Sequence, residues 1–203
     1  MRPSPLVLVF AATLAGGCAG FGVYATPDPS AKLNDATYLY THYERHLIAE
    51  RLIWEAMDIF RERADLQGLG HADRTYAELL ESPTLVKWEH AYRKLGFRDK
   101  SVTLENRLEK SKEYYRKAIT NYELAEPKLM DAGQYDGLTN LYFNMAASYY
   151  RLGEQQKTCE TYQKTSHAAA ENLRRNPNAK PNSGRYSSIQ EAIEAAKRYA
   201  GCA

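Results

Sequence analysis

The chain holds little of what marks most function classes. Its 203 residues include only three cysteines, at 18, 159 and 202, too few and too scattered for paired zinc ligands. The most apolar run, Leu6–Leu14, is nine residues long, well short of the roughly 20 that cross a bilayer. A net charge of +2 with acids and bases interleaved lacks the basic patch that a nucleic-acid partner or an anionic lipid surface requires. No β-rich run is bounded by turn residues. Nucleophile elbow, phosphate loop and dinucleotide fingerprint are missing too. These absences predict an all-α protein that is not an enzyme, with no catalytic residue, cofactor or metal.

What is present begins at the N-terminus. Arg2 is followed by Leu6–Leu14, then by small Ala15, Gly16 and Gly17, and then by Cys18. This is the layout of a bacterial secretory signal peptide. AGGC followed by Ala19 resembles the lipobox of bacterial lipoproteins, with Ala15 standing where leucine is usual. The resemblance implies removal of residues 1–17, acylation of Cys18 by fatty chains such as palmitate, and a lipoprotein moored in the cell envelope. Ala19 after the cysteine is similar to the outer-membrane sorting pattern, which would leave the domain facing the periplasm. Cleavage after Ala19 or Ala25 instead would give a soluble periplasmic protein.

Removing the first 17 residues leaves a chain long enough for one domain with a sizeable core. Charged residues are 26% and hydrophobic ones 44%, a globular rather than a disordered balance. With Cys18 assigned to lipid, Cys159 and Cys202 are left as an even pair in an oxidising compartment. They either form a disulfide tying the C-terminus to an upstream helix, or stay apart as a buried Cys159 and a loose tail thiol.

Residues 18–34 carry Gly, Pro and Ser without periodicity and predict a flexible tether. Helical patterns fill 35–175. Asp35 is placed to cap one long helix ending near Ala64, with Leu39, Tyr43, Leu47, Trp54, Met57 and Phe60 on its stripe. Further helices are predicted over 69–80, over 82–95 from Ser82-Pro83, over 101–130 with a kink at Pro127, and over 135–152 and 154–174. Residues 176–203 read as a linker and a short capping helix over 187–200.

Three segments share small and aromatic residues: Ala56-x3-Phe60, Ala118-x3-Tyr122-x2-Ala125 and Thr158-x3-Tyr162-x2-Thr165, the last two 40 residues apart. Before the third lies LYFNMAASYYRLG, with Tyr142, Met145, Ala146, Tyr149 and Gly153 in order. Small Ala146 permits close helix approach, Gly153 a tight turn, and Tyr149 and Tyr162 fill the groove between pairs. The pattern resembles the tetratricopeptide repeat over about residues 38–174, with 81–100 as an insertion. A second echo, acid then Gly-Leu then a new helix, links the segments starting at Arg63 and Met130. The resemblance implies a short right-handed α-solenoid of helix pairs with a C-terminal capping helix. It also implies a concave groove for a protein partner, carried onto Asn140, Phe143, Ala147, Tyr150 and Arg151. Phe143 and Tyr150 offer aromatic contact, Asn140 a backbone bond and Arg151 a carboxylate partner. These five could equally pack on the capping helix or on one another.

Other constellations are weaker. His42, His46 and Glu50 fall at i, i+4 and i+8, but without the glutamate that a metalloprotease helix places after its first histidine, so they read as a solvated stripe. His71, His90 and His167 show no recognisable partner. Glu81-Ser82 resembles the catalytic glutamate of lytic transglycosylases, yet the Gly-Leu-Met-Gln segment that follows it there is missing. The expected function is a membrane-anchored periplasmic adaptor that binds a protein partner in pilus or secretion assembly, outer-membrane assembly or recruitment of cell-wall enzymes. A binding module for a peptide or glycan is the alternative, and a cell-wall enzyme ranks behind both.

Overall fold

The computed structural model describes residues 26–178 and 186–202. Cys18, the signal segment and most of the expected tether lie outside them. Among the described residues there are eight α-helices and one 3-10 helix, with no strand. The all-α expectation therefore stands.

The first helix, α1 (Pro29–His42), starts six residues before Asp35. Asp28 is its true N-cap, its carboxylate accepting from the Ser30 amide at 2.9 Å, and Pro29 occupies the first turn, where a missing N–H costs nothing. The expected single helix over 35–64 is instead two, because α1 stops and α2 (His46–Glu62) begins after a sharp turn. Glu44 sits at φ 55° in that turn. Its carbonyl accepts from Trp88 Nε1 at 2.5 Å and its carboxylate pairs with Lys87 at 2.7 Å. Both donors belong to the 3-10 helix Pro83–Trp88, so a tertiary clamp breaks a helix that local periodicity would have continued.

Asp65 caps α3 (Leu66–Glu81), accepting from the Gly68 amide at 2.9 Å. The expected helix over 82–95 divides into the 3-10 helix and α4 (Glu89–Leu95). Residues 101–106 are not helical. Thr103 and Asn106 bond each other's amides at 2.7 and 3.2 Å, and α5 (Arg107–Asp131) begins only after that closed turn. The helix passes through Pro127 and ends at Asp131. Then come α6 (Tyr135–Leu152), α7 (Gln155–Arg175) and α8 (Ile189–Tyr199), the last capped by Ser188.

Neighbours in sequence pack as neighbours in space. α2 lies against α1 and α3, α5 against α3 and α6, and α7 against α6 and α8, while α3 also touches α1 and α6. One burial pattern recurs on α2, α5 and α7, spaced 4, 3 and 4: Ala49-Ile53-Ala56-Phe60, Ala118-Tyr122-Ala125-Leu129 and Thr158-Tyr162-Thr165-Ala169, all twelve buried. The alignment of Ala56-x3-Phe60 with Ala118-x3-Tyr122 is thus seven residues out of register, because Ala49 holds the place of Ala118. Small residues at the first and third positions let the neighbouring helix approach, and the larger second fills the gap.

The helix ends repeat as well. Asp65, Gln134, Glu154 and Cys202 each donate an amide back to the carbonyl five residues earlier, at 2.8–3.0 Å. The residue before each is left-handed: Ala64, Gly133, Gly153 and Gly201. This is the Schellman ending, which satisfies carbonyls that the last turn leaves open. Eight residues after Phe60 and after Leu129 comes a glycine packed against that side chain. A Cβ on Gly68 would lie 2.1 Å from Phe60 Cδ1, and one on Gly137 would lie 3.3 Å from Leu129 Cδ2.

Candidate partner-binding face

The face starts from how α3 and α6 are tied together. Near their N-termini, Gln67 Nε2 donates to the Gly137 carbonyl at 3.1 Å. At their C-termini, Arg151 Nε stands 3.5 Å from a Glu81 carboxylate oxygen. Like ends meet like ends, so the two helices run side by side in the same direction. On its other flank α3 meets α1, where Tyr40 donates its hydroxyl to Glu78 at 3.4 Å.

Between these ties lies a row of charge. Arg74 pairs with Glu78 one turn along α3, and its Nε is buried with no hydrogen-bond partner. Glu81 accepts from Ser111 at 3.1 Å and Tyr115 at 3.0 Å besides facing Arg151. Three groups from two helices thus fix one carboxylate, which orients the exposed Arg151 guanidinium. Behind the row, the Tyr122 hydroxyl meets His71 Nδ1 at 2.9 Å. Burial, and then the Arg74 charge, pull His71 down to about 4, so the imidazole is neutral near pH 7. Burial pushes the Tyr115 and Tyr122 hydroxyls well above the ordinary phenol range, which keeps both as donors.

The five groove residues separate. Asn140 is exposed, its carbonyl and Oδ1 both taking the Asn144 amide at 2.7 Å. Asn140, Asn144, Ala147 and Arg151 follow at helical spacing, half-buried or exposed, and form one stripe along α6. Phe143 and Tyr150 turn the other way. Phe143 meets Tyr162 edge-on at 5.7 Å, Tyr150 lies 5.5 Å from Tyr199, and both join the apolar cluster under α8 with Ala146, Ala200 and Cys202. The repeat residues Ala118, Tyr122, Ala125, Tyr142, Ala146, Tyr149 and Tyr162 are all buried, and Gly153 takes the left-handed turn at φ 76°. Cys159 and Cys202 are joined, Cα to Cα 5.3 Å, so the open choice between bridge and free thiols falls to the bridge.

Two readings need correction. His42, His46 and Glu50 are not a solvated stripe: His42 ends α1 while His46 opens α2, and His46 and Glu50 are 0% and 2% exposed. His46 Nε2 meets Ser82 Oγ at 2.9 Å, and Glu50 accepts from Tyr76 at 3.0 Å and the Arg98 amide at 2.7 Å. Burial pushes the Glu50 carboxyl up and the His46 imidazole down. Both residues bolt the 81–100 segment to α2. His71, expected to be without a partner, has Tyr122.

Sequence reasoning missed Arg74, Glu78 and Asn144, because the faces that α3 and α6 turn to each other are set by contacts such as Gln67 to Gly137, 70 residues apart. It also missed a cleft of about 330 Å³ between α5, α6 and α7, floored by Leu138, Tyr142 and Ala168 and rimmed by Gln163, Lys164 and His167. Among the described residues, no group of three or more His, Cys, Asp or Glu could hold a metal ion, and no helix is long and apolar enough to cross a membrane. No known family model, curated protein or solved structure matches this chain.

Proposed function

We propose that this protein is a lipid-anchored, periplasm-facing adaptor built of tetratricopeptide-like helix pairs, which holds one protein partner against the polar stripe of α6 and the charged row of α3. In this reading the pairs are α1/α2, α3/α5 and α6/α7, with α8 as cap and 81–100 inserted inside the second pair. The recurring quartets on α2, α5 and α7 and the shared helix endings support the repeat reading. The lipobox-like Cys18 supports the mooring.

One observation carries the binding reading. Arg151 is exposed yet oriented by Glu81, which is itself held by two hydroxyls from α5. Ordering a charge at the surface in advance lowers the entropic cost of meeting a partner carboxylate. The Asn140–Asn144 pair beside it offers amide groups suited to a peptide backbone. Affinity purification from detergent-solubilised envelopes tests the reading. A stoichiometric partner is expected with the wild-type chain and loss of that partner with Arg151→Glu. Absence of any stoichiometric partner, or one indifferent to the substitution, contradicts it.

A second reading, a module for a small peptide or glycan ligand, draws on the cleft beside Lys164 and His167, whose volume is at the low end for ligand sites. Thermal-shift screening against cell-wall fragments separates the two, since a ligand of the cleft stabilises wild type but not Ala168→Leu.

A further inference from the structure

α8 is held differently from every other helix. Of its 11 residues only Ala192 and Ile193 are buried, and a helix this short has little stability of its own in water. Two links at its C-terminal end do the rest. Gln155, at the start of α7, donates its side-chain amide to the Ala200 carbonyl at 2.7 Å and reaches the Gly201 carbonyl at 3.3 Å. The Cys159–Cys202 bond is the other link. Beneath α8 lie Phe143, Ala146, Tyr150 and Tyr162, which would be an apolar surface if the helix left.

The bridge is also placed for exchange. Cys159 is only partly buried while Cys202 is buried, so an incoming thiolate meets the Cys159 side first. The Gln155 amide stands 3.5 Å from Cys159 Sγ and 4.0 Å from Cys202 Sγ. An N–H aimed at both sulfurs favours whichever one takes up negative charge.

We propose that α8 is a redox-released latch over the aromatic end of α6 and α7, opened by a dithiol protein or small dithiol of the envelope. One thiolate of the dithiol attacks Cys159 Sγ, forming a mixed disulfide and expelling Cys202 as thiolate, which takes a proton. The second thiol of the reductant loses its proton and attacks its own sulfur in the mixed disulfide. Cys159 leaves as a thiol and the reductant as a disulfide, two electrons having passed to the protein. α8 then keeps only the Gln155 link and its two buried residues, too little to hold it, and bares Phe143, Ala146, Tyr150 and Tyr162. That this surface receives a partner helix rests on the adaptor reading; the latch itself does not.

Hydrogen exchange on the full chain, oxidised and after dithiothreitol without denaturant, tests the latch with no partner present, and thiol titration verifies cleavage. Amides of residues 189–202 are expected to lose protection at least about tenfold on reduction while α1 to α5 keep theirs. Cys159→Ser/Cys202→Ser should behave as the reduced protein without reductant. Three results overturn the proposal: unchanged protection over 189–202 after verified cleavage, loss spread evenly over all helices, or a bond that resists dithiothreitol until the protein unfolds. None of them bears on whether a partner binds the stripe of α6.

Discussion

Asp73 shows how a single buried group ties this fold to pH. It is 7% exposed, its Oδ2 accepts from Asn121 at 2.8 Å, and burial pushes its carboxyl up to about 6 against the nearby Lys117 charge. A carboxyl whose folded value exceeds its unfolded one binds more protons when folded. It therefore costs stability as pH rises through about 4 to 6. His71 acts in the opposite sense, since its value falls to about 4 on folding and its contribution is lost as pH drops through that window from the ordinary imidazole value. Asp73→Asn isolates the first effect. Urea melts should show the variant more stable by about 1–3 kcal/mol at pH 7.5 and equal to wild type below pH 4. A variant less stable at pH 7.5 would mean that Lys117 and Arg61 need the charge.

Ala64 holds the left-handed position that Gly133, Gly153 and Gly201 hold at the other helix ends. A Cβ in that conformation meets the following carbonyl at a cost of roughly 1–2 kcal/mol, partly offset by the lower unfolded entropy of alanine. Ala64→Gly should raise stability by about 0.5–1 kcal/mol, and Gly153→Ala should lower it by about 1–2 kcal/mol. Thermal melts of both variants check the pair, and equal effects of one sign would contradict the shared ending.

Among helices, close approach decides more than propensity. At Gly68 helix propensity alone predicts that alanine gains about 1 kcal/mol. The Phe60 ring occupies the space of the new Cβ, so Gly68→Ala should instead lose about 1–3 kcal/mol. The loss should shrink in a Phe60→Leu background, the mark of coupled neighbours. Additive losses would place the strain elsewhere.

Some elements were legible in the sequence because their signals are local. α6 runs from Tyr135 to Leu152 as its periodicity and Gly153 predict. The Asp28-Pro29-Ser30 cap is an equally local signal, masked by its proline-rich surroundings. The break between α1 and α2 was not legible, since Lys87 and Trp88 impose it from 43 and 44 residues away. Three of the four residues of the α6 stripe, all but Asn144, could be read from the repeat pattern. Its partner Glu81 could not, because nothing in α3 alone says which face meets α6. The split of Phe143 and Tyr150 from Asn140 and Arg151 follows from α8, whose docking is fixed by a cysteine 43 residues from its mate.

At the scale of the molecule, stability is shared unevenly. α1, α2 and α3 carry most of the largest cluster, while α8 depends on a bridge that closes 43 residues. By chain entropy alone such a bridge contributes up to about 4 kcal/mol, often less. Cys202→Ser should thus lower the melting temperature, with helix content falling by no more than the 11 residues of α8. The same molecule is expected to be fixed to a membrane through Cys18, which lies outside the described residues. Metabolic labelling with a fatty-acid analogue should mark wild type and not Cys18→Ser.

The side of α3 and α6 that carries Arg74, Asn144 and Arg151 is the proposed seat of the partner. A photoreactive residue placed at Asn144 and, separately, at exposed Leu124 on α5 puts that to the test in intact cells. One discrete cross-linked protein from position 144 and none from 124 is the predicted result. No adduct from 144, or the same adducts from both positions, would contradict it.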